Sequence, residues 1–458
     1  MKPRSLEWVA DVMGGVLSPA STNIQIATGA SIDSRKISAG DLFFAIEANR
    51  DGHQFVGDAL RSGAVAAVIA SGRSTTEGDG PSIEVPCPRT ALGVLAEAVR
   101  REESDLPAVA ITGSIGKTTT CGYVAKLIGS IGPVHRPPGS FNNDLGLPLT
   151  ILNAPEKTRA LVLEIGTNQP GEVRSLAELT HAQIGVVTAI EAVHLEGLGD
   201  LAGVEREKLS LFSGIQENAT AWVPQPYLEA ARASGRSVHG FGPGGSSEVI
   251  EQGDGEFLWR LKTGRFQGDW PFQWTPNYRH QSLLLSAALA VGAQLGVEPK
   301  HMLDAVAKLP ESPLRGELRR HEGVDFLLDC YNASPVSVIA SIERLENEPA
   351  SGRRYCVLGT MEELGPQEAQ FHRELGRRVG EGSIDGVFLV GRGRSWYREG
   401  LKEVGSDGVS VDQGDRGAEL IANSLLPGDR VLFKASRRES LETLAEQIAT
   451  CLTDRGHR

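Results

Sequence analysis

The chain of 458 residues is too long for a single hydrophobic core, and we expect three domains. Hydrophobic residues make up 40% and charged residues 23% of it, without a long low-complexity tract, which predicts a globular chain throughout. The net charge of -12 argues against a nucleic-acid binder, because such proteins need clustered positive charge.

The cysteine and hydropathy patterns predict a cytoplasmic protein that binds no membrane. The five cysteines are scattered, without metal-like spacing or the density of a disulfide scaffold, so we expect free thiols. The N-terminal residues lack the apolar core of a signal peptide, and no later run approaches the roughly 18 apolar residues of a membrane span.

Residues 1–105 show the pattern of a small α/β domain. Short apolar strands at 41–46 and 66–70 alternate with helical segments at 56–62 and 91–101. Two polar clusters lie beside strands, namely Asp33-Ser34-Arg35 and Asp51-Gly52-His53. The sequence leaves two interpretations of them open, a binding site and plain turn chemistry, which Asp, Ser and Gly often supply.

The stretch 109–120 carries the clearest functional signal. An apolar run predicts a buried parallel strand that ends at Thr112-Gly113, and Lys117 with three threonines then opens a helix predicted over 118–128. A glycine-rich turn before a helix binds phosphate through backbone N–H groups, while a lysine adds charge and a hydroxyl can hold magnesium. Only two residues separate Gly113 from Gly116, where the common pattern has four. The predicted phosphate-binding residues are Gly113, Ser114, Gly116, Lys117, Thr118 and Thr119.

Polar residues also follow later strands of this second domain. Glu164 lies near the C-terminal end of an apolar strand at 160–166, and His194 follows another at 184–190. Ligands of open parallel sheets bind beyond the carboxyl ends of the strands, so we predict that Glu164 binds magnesium together with Thr118. A single histidine after a strand is more often structural, but these companions favour a ligand role for His194. The loop at 137–148, rich in Asn, Gly and Pro, is predicted to contact substrate.

Lys208 occupies an unusual place in a predicted amphipathic helix at 204–212. It falls on the apolar stripe with Leu201, Val204 and Leu211. Two interpretations remain open. The lysine could extend its ammonium group to solvent, or it could be buried and converted to a charge-bearing derivative.

The last part of the chain indicates a Rossmann-like domain. Strands at 326–329, 355–359, 386–391 and 430–434 alternate with helices. One helix is predicted to be capped by Ser334 with Pro335 at its first position, and another to start at Pro366. The segment Gly391-Arg-Gly-Arg lacks the third glycine of a dinucleotide motif, so we interpret it as a surface turn.

Taken in order, these motifs resemble the Mur ligases of peptidoglycan synthesis. The similarity covers nearly the whole chain, and an ordered series of motifs is far more specific than any one of them. Within the family the chain is most similar to the branch that joins D-alanyl-D-alanine to a UDP-N-acetylmuramoyl tripeptide. The similar segments are 33–35, 41–45, 51–55, 112–119, 141–150, 163–172, 194–199, 207–208, 312–317, 329–335, 357–365 with His372, and 434–437.

The resemblance implies an α/β fold of three domains. These are a small N-terminal UDP-substrate-binding domain at 1–105, a central P-loop-type parallel-sheet ATPase domain at 106–311, and a C-terminal Rossmann-like domain at 312–458. It also implies an ATP-dependent amide ligase that works through an acyl phosphate, needs Mg²⁺ and contributes to peptidoglycan precursor synthesis in the cytoplasm. The expected partners are the UDP-muramoyl tripeptide and D-Ala-D-Ala, and the expected state is a monomer.

The resemblance also implies roles for single residues. Lys117 would hold the β and γ phosphates, Thr118 and Glu164 the first magnesium ion, and His194 a second one. Lys208 matches a lysine that many members carry as a carbamate, which would position a metal-binding site. The implied catalytic residues are thus Lys117, Lys208 and His194. The further implied residues are His280, Arg315 and Asp329 for the nucleotide, and Ser34, Arg35, Asn142, Asn143, Asn332, Lys434 and Arg437 for substrate.

The chain departs from the family pattern at a few positions. Gln281 and Leu284 replace the two asparagines of the family's His-Asn-x-x-Asn segment, which contacts the nucleotide base. Ala189, Ser210 and Ala435 also differ from the usual residues. None of these changes removes a phosphate or metal ligand, so we predict an active ligase with altered nucleotide contacts.

Two other functions stay open on the sequence. One is an amide ligase of the same architecture with another acceptor, as in the folylpolyglutamate and cyanophycin branches, which the polar clusters of the first domain disfavour. The other is a non-catalytic nucleotide-binding or scaffold protein, which Gln281 and Leu284 favour.

Overall fold

The computed structural model describes residues 1–18, 25–73, 80–278, 280–310 and 313–456. Contacts between residues divide the chain into two units. The first unit contains 1–189, 206–274 and 283–308, and the second contains 190–205, 275–282 and 309–458. The predicted domain boundary at 311–312, and Ser312 of the family motif, lie outside the described residues.

The N-terminal segment is a small α/β arrangement, as the alternation of strand and helix patterns predicts. Its main sheet has the strand order β2-β7-β6-β5-β4, parallel except for the β2–β7 pair, while β1 and β3 form a separate antiparallel pair. Helix α3 begins with a proline at its first turn and buries an apolar stripe that includes Leu92, Leu95 and Val99. The elements are β1 (Arg4–Ser5), α1 (Leu6–Met13), β2 (Val16–Ser18), β3 (Ile26–Ala27), β4 (Gly29–Ser31), β5 (Asp41–Phe44), α2 (Val56–Arg61), β6 (Ala66–Ala70), β7 (Ser82–Val85) and α3 (Pro88–Glu102).

The central segment is built on a large sheet with the order β16-β15-β14-β13-β12-β11-β8-β10-β9. The strands from β9 to β14 are parallel, and β14, β15 and β16 form an antiparallel extension at one edge. Every residue of β8 is buried, as expected for a central strand of a parallel sheet. The elements are β8 (Ala108–Thr112), α4 (Lys117–Leu127), β9 (Val134–His135), α5 (Gly146–Leu152), β10 (Ala160–Glu164), α6 (Glu172–Thr180), β11 (Ile184–Val187), α7 (Leu195–Leu198), α8 (Leu201–Leu209), α9 (Leu211–Gly214), β12 (Thr220–Pro224), α10 (Leu228–Arg232), β13 (Ser237–Phe241), β14 (Ser247–Gly253), β15 (Glu256–Leu261), β16 (Gly268–Gln273), α11 (Gln281–Gln294) and α12 (Pro299–Val306).

The C-terminal segment has a sheet with the order β17-β18-β22-β19-β20-β21, parallel except for the β17–β18 pair. Neighbouring residues of one strand point to opposite faces of the sheet, so Phe326 and Leu327 belong to separate hydrophobic clusters. Ser334 caps α13 with a capping box and Pro335 occupies its first turn, as predicted. The elements are β17 (Glu317–His321), β18 (Val324–Leu328), α13 (Pro335–Asn347), β19 (Arg354–Leu358), α14 (Glu368–Gly380), β20 (Gly386–Leu389), α15 (Arg394–Glu403), β21 (Val409–Ser410), α16 (Asp415–Ser424), β22 (Arg430–Lys434) and α17 (Leu441–Gly456).

The predicted α/β class with parallel sheets is confirmed, and the differences concern element ends. Strand β11 stops at Val187 rather than at 190. The next residue, Thr188, donates its hydroxyl to backbone carbonyl oxygens of Thr112 and Ile115. The helix predicted from Pro366 opens with a 3₁₀ turn at Gly365–Gln367, and α14 starts at Glu368. In the described part of the chain, none of the helices has the length and apolar character that crossing a membrane requires.

Candidate functional site

The phosphate loop lies at the carboxyl edge of the central sheet. Strand β8 lies between β10 and β11 and is parallel to both, so the ends of all three strands meet at one edge. Thr112 ends β8, and Glu164 ends β10 next to it. The predicted strand, turn and helix are confirmed, with α4 starting at Lys117, one residue earlier than expected.

Two glycines allow the loop to turn tightly between β8 and α4. Gly113 has φ +148°, and a Cβ atom there would stand 2.0 Å from the Thr188 hydroxyl oxygen. Gly116 has φ +81°, and a Cβ atom there would stand 2.7 Å from a methyl carbon of Leu284. A side chain at either position would therefore meet both backbone strain and a steric clash.

The lysine of the loop is folded back over it. The Lys117 ammonium donates hydrogen bonds to the carbonyl oxygens of Gly113, at 2.7 Å, and Ser114, at 3.3 Å. The N–H of Ser114 is already bound to the Ala189 carbonyl oxygen at 2.9 Å. The N-terminus of α4 thus carries a positive charge and a partially positive helix end at the same place, which is a suitable environment for phosphate.

Glu164 is a buried carboxylate with one oxygen left over. Its Oε1 atom accepts a hydrogen bond from the Asn142 side-chain amide at 2.7 Å. Its Oε2 atom is buried and has no hydrogen-bond partner among the described residues. Because a buried charge without a partner is costly, this oxygen is suited to bind a cation. In the structure, Asn142, which is predicted to contact substrate, orients this carboxylate.

Asn143 serves the local fold of the same loop. Its side-chain oxygen accepts from the N–H groups of Gly146, at 2.9 Å, and Leu145, at 3.3 Å. These contacts lie at the start of α5, where the first N–H groups of a helix have no partner within the helix.

Lys208 is buried in the protein interior. Its side chain is 0% exposed, and its Nζ atom has no hydrogen-bond partner in the described part of the chain. A lysine that extends to solvent would keep its ammonium group wet, so that interpretation is excluded. Burial lowers the pKa of Lys208 well below its usual value, and the charge of Lys117 lowers it further. The amine is therefore held toward its neutral, nucleophilic form.

Two carboxylates near Lys208, those of Glu207 and Glu172, are held by hydrogen bonds that the sequence does not predict. Glu207 is buried and accepts from the N–H groups of Gly171, at 2.7 Å, and Val173, at 2.8 Å, and from the Thr167 hydroxyl at 3.3 Å. Glu172 accepts from the same hydroxyl and from two N–H groups of its own loop. The dipeptide Glu207-Lys208 was part of the family motif, but only the folded chain reveals what Glu207 touches.

His194 lies in the second unit, before the short helix α7. Its backbone is in the left-handed region with φ +55°, and its Nδ1 atom contacts a carboxylate oxygen of Glu363. The Leu195 N–H also donates to the Glu363 carbonyl oxygen at 3.0 Å. A carboxylate beside one ring nitrogen is the arrangement that orients histidine ligands in many metal sites. Glu363 is a further residue that sequence reasoning missed.

A buried ion pair joins two other predicted residues of the second unit. The Lys434 ammonium donates to Asp329 Oδ2 at 2.8 Å and to the Asn332 carbonyl oxygen at 3.0 Å. The Ser341 hydroxyl donates to the same Asp329 oxygen. Asp329, Asn332 and Lys434, predicted to contact nucleotide or substrate, are therefore brought together at the ends of β18 and β22.

The remaining predicted residues of this unit are more exposed. The guanidinium of Arg315 lies over the ring of Tyr331, 4.2 Å from its centroid. Arg437 forms an ion pair with Glu442. His280 is exposed and stacks on the Tyr278 ring with a centroid distance of 5.1 Å.

The first polar cluster of the N-terminal segment forms a turn beside a large cavity. Asp33 caps the turn that contains Ser34 and binds the guanidinium of Arg35 through both carboxylate oxygens, at 2.8 and 2.9 Å. The hydrogen bond from Arg35 lowers the pKa of Asp33 to about 2. A cavity of about 740 Å³ lies next to this turn, lined by Asp33, Lys36, Asp41, Phe141 and Asn153 among others.

The second polar cluster is fully engaged in local structure. His53 Nδ1 lies 2.7 Å from an oxygen of Asp51, and its Nε2 accepts from the Ala70 N–H at 3.0 Å. Arg73 forms ion pairs with Asp51 and Glu47. Glu47, Asp51 and His53 lie close enough together to hold a metal ion. Because both ring nitrogens of His53 already have partners, we interpret this group as a structural network rather than a metal site.

His372, which is part of a family-like segment, is a structural residue of the second unit. It lies on α14, and its ring is completely buried against the rings of Trp396 and Tyr397. Nε2 accepts from the Met361 N–H at 2.9 Å, and Nδ1 lies 2.7 Å from the Glu368 carbonyl oxygen. This pattern fixes a neutral ring with its proton on Nδ1. Burial lowers the pKa of His372 below its usual 6.5.

We expect His372 to make the second unit sensitive to acid. The unfolded chain takes up a proton near pH 6.5 while the folded chain does not, so stability falls as the pH drops below 6.5. A single such group contributes a slope of up to about 1.4 kcal/mol per pH unit. Urea unfolding of wild type and His372→Gln between pH 8 and 5 measures this slope. A slope that is the same in both proteins would contradict the assignment.

Known proteins match nearly the whole length of the chain. Three family models match, described as Mur ligase family, catalytic domain, at 27–113, Mur ligase middle domain, at 111–263, and Mur ligase, glutamate ligase domain, at 314–437. The UDP-N-acetylmuramoyl-tripeptide--D-alanyl-D-alanine ligase of Bacillus subtilis is 30% identical over 456 residues, with 98% of this chain and 99% of the relative covered. The enzyme of the same name from Escherichia coli is 29% identical, with 97% and 98% covered.

Solved structures agree with these relatives. A crystal structure of MurF from Acinetobacter baumannii has a TM-score of 0.86 at 25% identity, with 98% of this chain and 99% of that chain covered. MurF from Thermotoga maritima in complex with ADP has a TM-score of 0.78 at 28% identity, with 94% and 99% covered. Sequence identity along the full length, three matching family models and the shared fold all point the same way, and the chain belongs to the Mur ligase family.

Proposed function

We propose that this chain is a MurF-type ligase, which uses ATP to join D-alanyl-D-alanine to a UDP-N-acetylmuramoyl tripeptide in peptidoglycan precursor synthesis. The observation that carries the proposal is the first-unit site itself. A phosphate loop with Lys117, the unpartnered Glu164 oxygen and the buried amine of Lys208 belong to one unit of a chain whose full-length relatives are ligases of this name.

The chemistry of such a ligase explains why these groups are needed. A carboxylate is a poor electrophile, so the terminal carboxylate of the tripeptide is first phosphorylated by ATP. The amine of the dipeptide then attacks the acyl phosphate and displaces phosphate. Both steps build negative charge on oxygen, which the Lys117 ammonium and the N-terminus of α4 are placed to stabilise.

The residues of the first unit fit a magnesium ion. Hard cations prefer oxygen ligands, and the Glu164 Oε2 atom is a buried carboxylate oxygen without a partner among the described residues. Thr118 and Glu164 would hold the first ion, and His194 would help to hold a second one. A carbamate on Lys208 would supply an anionic group that positions a magnesium-binding site. A bound magnesium ion supplies neutralisation of phosphate charge. Asn142 and Glu363 would then act as orienting partners of Glu164 and His194.

We propose that two further groups of residues, one beside the N-terminal cavity and one in the second unit, bind the parts of the substrates that the phosphate loop does not hold. Ser34 and Arg35 belong to the turn whose Asp33 and Lys36 line the N-terminal cavity. The cavity volume of about 740 Å³ is within the range of ligand sites and would suit part of the UDP-muramoyl substrate. In the second unit, Asn332, Lys434 and Arg437 are proposed to contact substrate, and Arg315, Asp329 and His280 the nucleotide. We further propose a monomer that works in the cytoplasm.

Two residues that depart from the family pattern, Gln281 and Leu284, make structural contacts. The side-chain oxygen of Gln281 accepts from the Asn277 N–H at 2.9 Å, which helps to start α11. Leu284 packs against Gly116 of the phosphate loop. Because neither contact removes Lys117, Thr118 or Glu164, we favour an active ligase over a non-catalytic paralogue.

We expect purified protein to release phosphate from ATP only when Mg²⁺, the UDP-muramoyl tripeptide and D-Ala-D-Ala are all present. The tripeptide should be supplied with lysine and with diaminopimelate at its third position, and glutamate should be offered in place of the dipeptide. Release with glutamate but not with the dipeptide would favour a ligase with another acceptor. No release above background with either tripeptide would contradict the ligase proposal.

Within the same assay, Lys117→Ala should lower the rate roughly 100- to 1,000-fold, the usual cost of losing one group that stabilises transition-state charge. Lys126 provides a matched control, because it is an exposed lysine at the other end of the same helix. Lys126→Ala should keep the wild-type rate. Equal rates for the two variants would remove Lys117 from the phosphate site.

A further inference from the structure

Glu207 connects two parts of the first unit that each carry a proposed site residue. Its carboxylate lies on α8, immediately before Lys208. It is 6% exposed and bonds with both oxygens, Oε2 to the Gly171 N–H at 2.7 Å and Oε1 to the Val173 N–H at 2.8 Å. Those N–H groups belong to the loop and first helical turn that follow β10, the strand that ends in Glu164.

The residues that Glu207 connects lie close in sequence to the two proposed site residues, Lys208 and Glu164. Lys208 is the next residue after Glu207, so their Cα atoms are separated by a single peptide unit. Thr167, whose hydroxyl lies 3.3 Å from Glu207 Oε1, is close in sequence to Glu164. Because both oxygens of Glu207 are bound to this loop, α8 has little freedom to slide along it. The position of Lys208 on α8 relative to Glu164 at the end of β10 therefore depends on Glu207.

We propose that Glu207 is a positioning residue that holds the buried amine of Lys208 at a fixed place relative to the Glu164 carboxylate. The inference rests on the proposed function, because that proposal gives Glu164 and Lys208 their roles at the metal. The competing explanation is that Glu207 only caps the N-terminus of α6 and stabilises the fold.

Glutamine at position 207 separates shape from hydrogen bonding. It has the length of glutamate but only one side-chain oxygen, which can accept from one of the two N–H groups, Gly171 or Val173. The glutamine NH₂ group would then face the other N–H, and because both groups are donors, no hydrogen bond can form there. Glu172→Gln is the matched control. Glu172 also accepts from two N–H groups of the same loop and from the Thr167 hydroxyl, but it lies on α6, and among the described residues none of these hydrogen bonds reaches α8.

The test uses full-length protein with ADP and Mn²⁺, a paramagnetic substitute for Mg²⁺ whose binding is measured by electron paramagnetic resonance. We expect Glu207→Gln to weaken Mn²⁺ binding about 10- to 100-fold, as loss of a partner behind the metal ligands usually does. Its phosphate release should need a correspondingly higher Mg²⁺ concentration. Glu172→Gln should bind Mn²⁺ like wild type and keep the wild-type Mg²⁺ requirement.

Thermal unfolding shows whether each variant is folded. If Glu207→Gln fails to fold, Glu207→Asp, which keeps two acceptor oxygens on a shorter side chain, carries the test and should give a smaller shift in the same direction. Wild-type Mn²⁺ affinity in folded Glu207→Gln, or an equal loss in Glu172→Gln, would overturn the proposal. A wild-type protein that releases no phosphate would contradict the ligase function, whereas a difference in Mn²⁺ binding between the variants would still support Glu207 as a positioning residue.

Discussion

Glu164→Gln should abolish most of the activity while leaving the protein at least as stable as wild type. The two effects have one cause. Glu164 is 1% exposed, and its Oε2 atom has no hydrogen-bond partner among the described residues. A buried negative charge without a partner is unfavourable for folding, so a neutral side chain of the same shape removes a cost.

The same change removes the charge that we assign to the metal. Glutamine would offer a neutral oxygen, or an amide group, where Glu164 offers a negative oxygen, and we expect phosphate release to fall roughly 100- to 1,000-fold. The Asn142 amide would still find an acceptor in the glutamine oxygen. A structural residue would behave in the opposite way, since its loss usually costs stability and spares chemistry.

Thermal unfolding and phosphate release, measured on the same preparation, test this prediction. Glu178→Gln is a suitable control, because Glu178 is a surface residue of α6 that pairs with Arg174. It should leave both quantities near their wild-type values. Retained activity in Glu164→Gln, or a loss of several degrees in its melting temperature, would contradict the assignment.

The sequence predicted the backbone of this site well, because its signals are local. Gly113 and Gly116 mark a turn that only glycine tolerates, and the apolar run before them can only be a buried strand. Parallel strands end at one edge of a sheet, which is why Glu164 could be placed beside the phosphate loop from its position at the end of an apolar run.

The partners of the site residues could not be predicted, because they come from distant parts of the chain. Nothing near Asn142 in the sequence indicates that its amide holds Glu164, and nothing near Glu207 indicates bonds to Gly171 and Val173. The contact of His194 with Glu363 likewise joins segments far apart in the chain. These contacts depend on how loops pack on the sheet edge, which hydrophobic periodicity does not encode.

Polar clusters in turns show a second limit of sequence reasoning. Asp33-Ser34-Arg35 and Asp51-Gly52-His53 each combine an acidic, a small and a basic residue, and Asp33 of the first cluster lines a large cavity. In the second, the histidine uses both ring nitrogens to tie its turn to Asp51 and to the end of β6. Asp, Ser, Gly and His serve turns and binding sites equally well, so tertiary contacts decide between the two.

Lys208 is expected to show the most specific behaviour of any residue in the site. Lys208→Ala should lower phosphate release roughly 100- to 1,000-fold if a charge-bearing derivative of the lysine supports the metal site. Addition of a short carboxylic acid such as acetate or propionate should restore part of this activity, because it can fill the space left by the side chain with a negative group. Lys126→Ala, on an exposed lysine, should neither lose activity nor respond to the acid.

A second measurement on the same lysine follows from its pKa, which burial and Lys117 lower well below the usual 10.5. The unfolded chain binds a proton at Lys208 below pH 10.5, whereas the folded chain binds it only at lower pH, so an unmodified Lys208 lowers the stability of the fold as the pH falls below 10.5. Lys208→Met should therefore raise the free energy of unfolding at pH 7 in buffer freed of carbon dioxide, with a smaller gain as the pH rises toward 10.5. High activity of Lys208→Ala would exclude the carbamate. So would a failure of the acids to restore activity to this variant, combined with a wild-type activity that does not depend on the carbon dioxide concentration. We therefore expect replacement of Lys208 to raise stability and to lower activity. If the side chain served only for packing, Lys208→Met would fill the same space without the cost of a buried amine and would keep its activity.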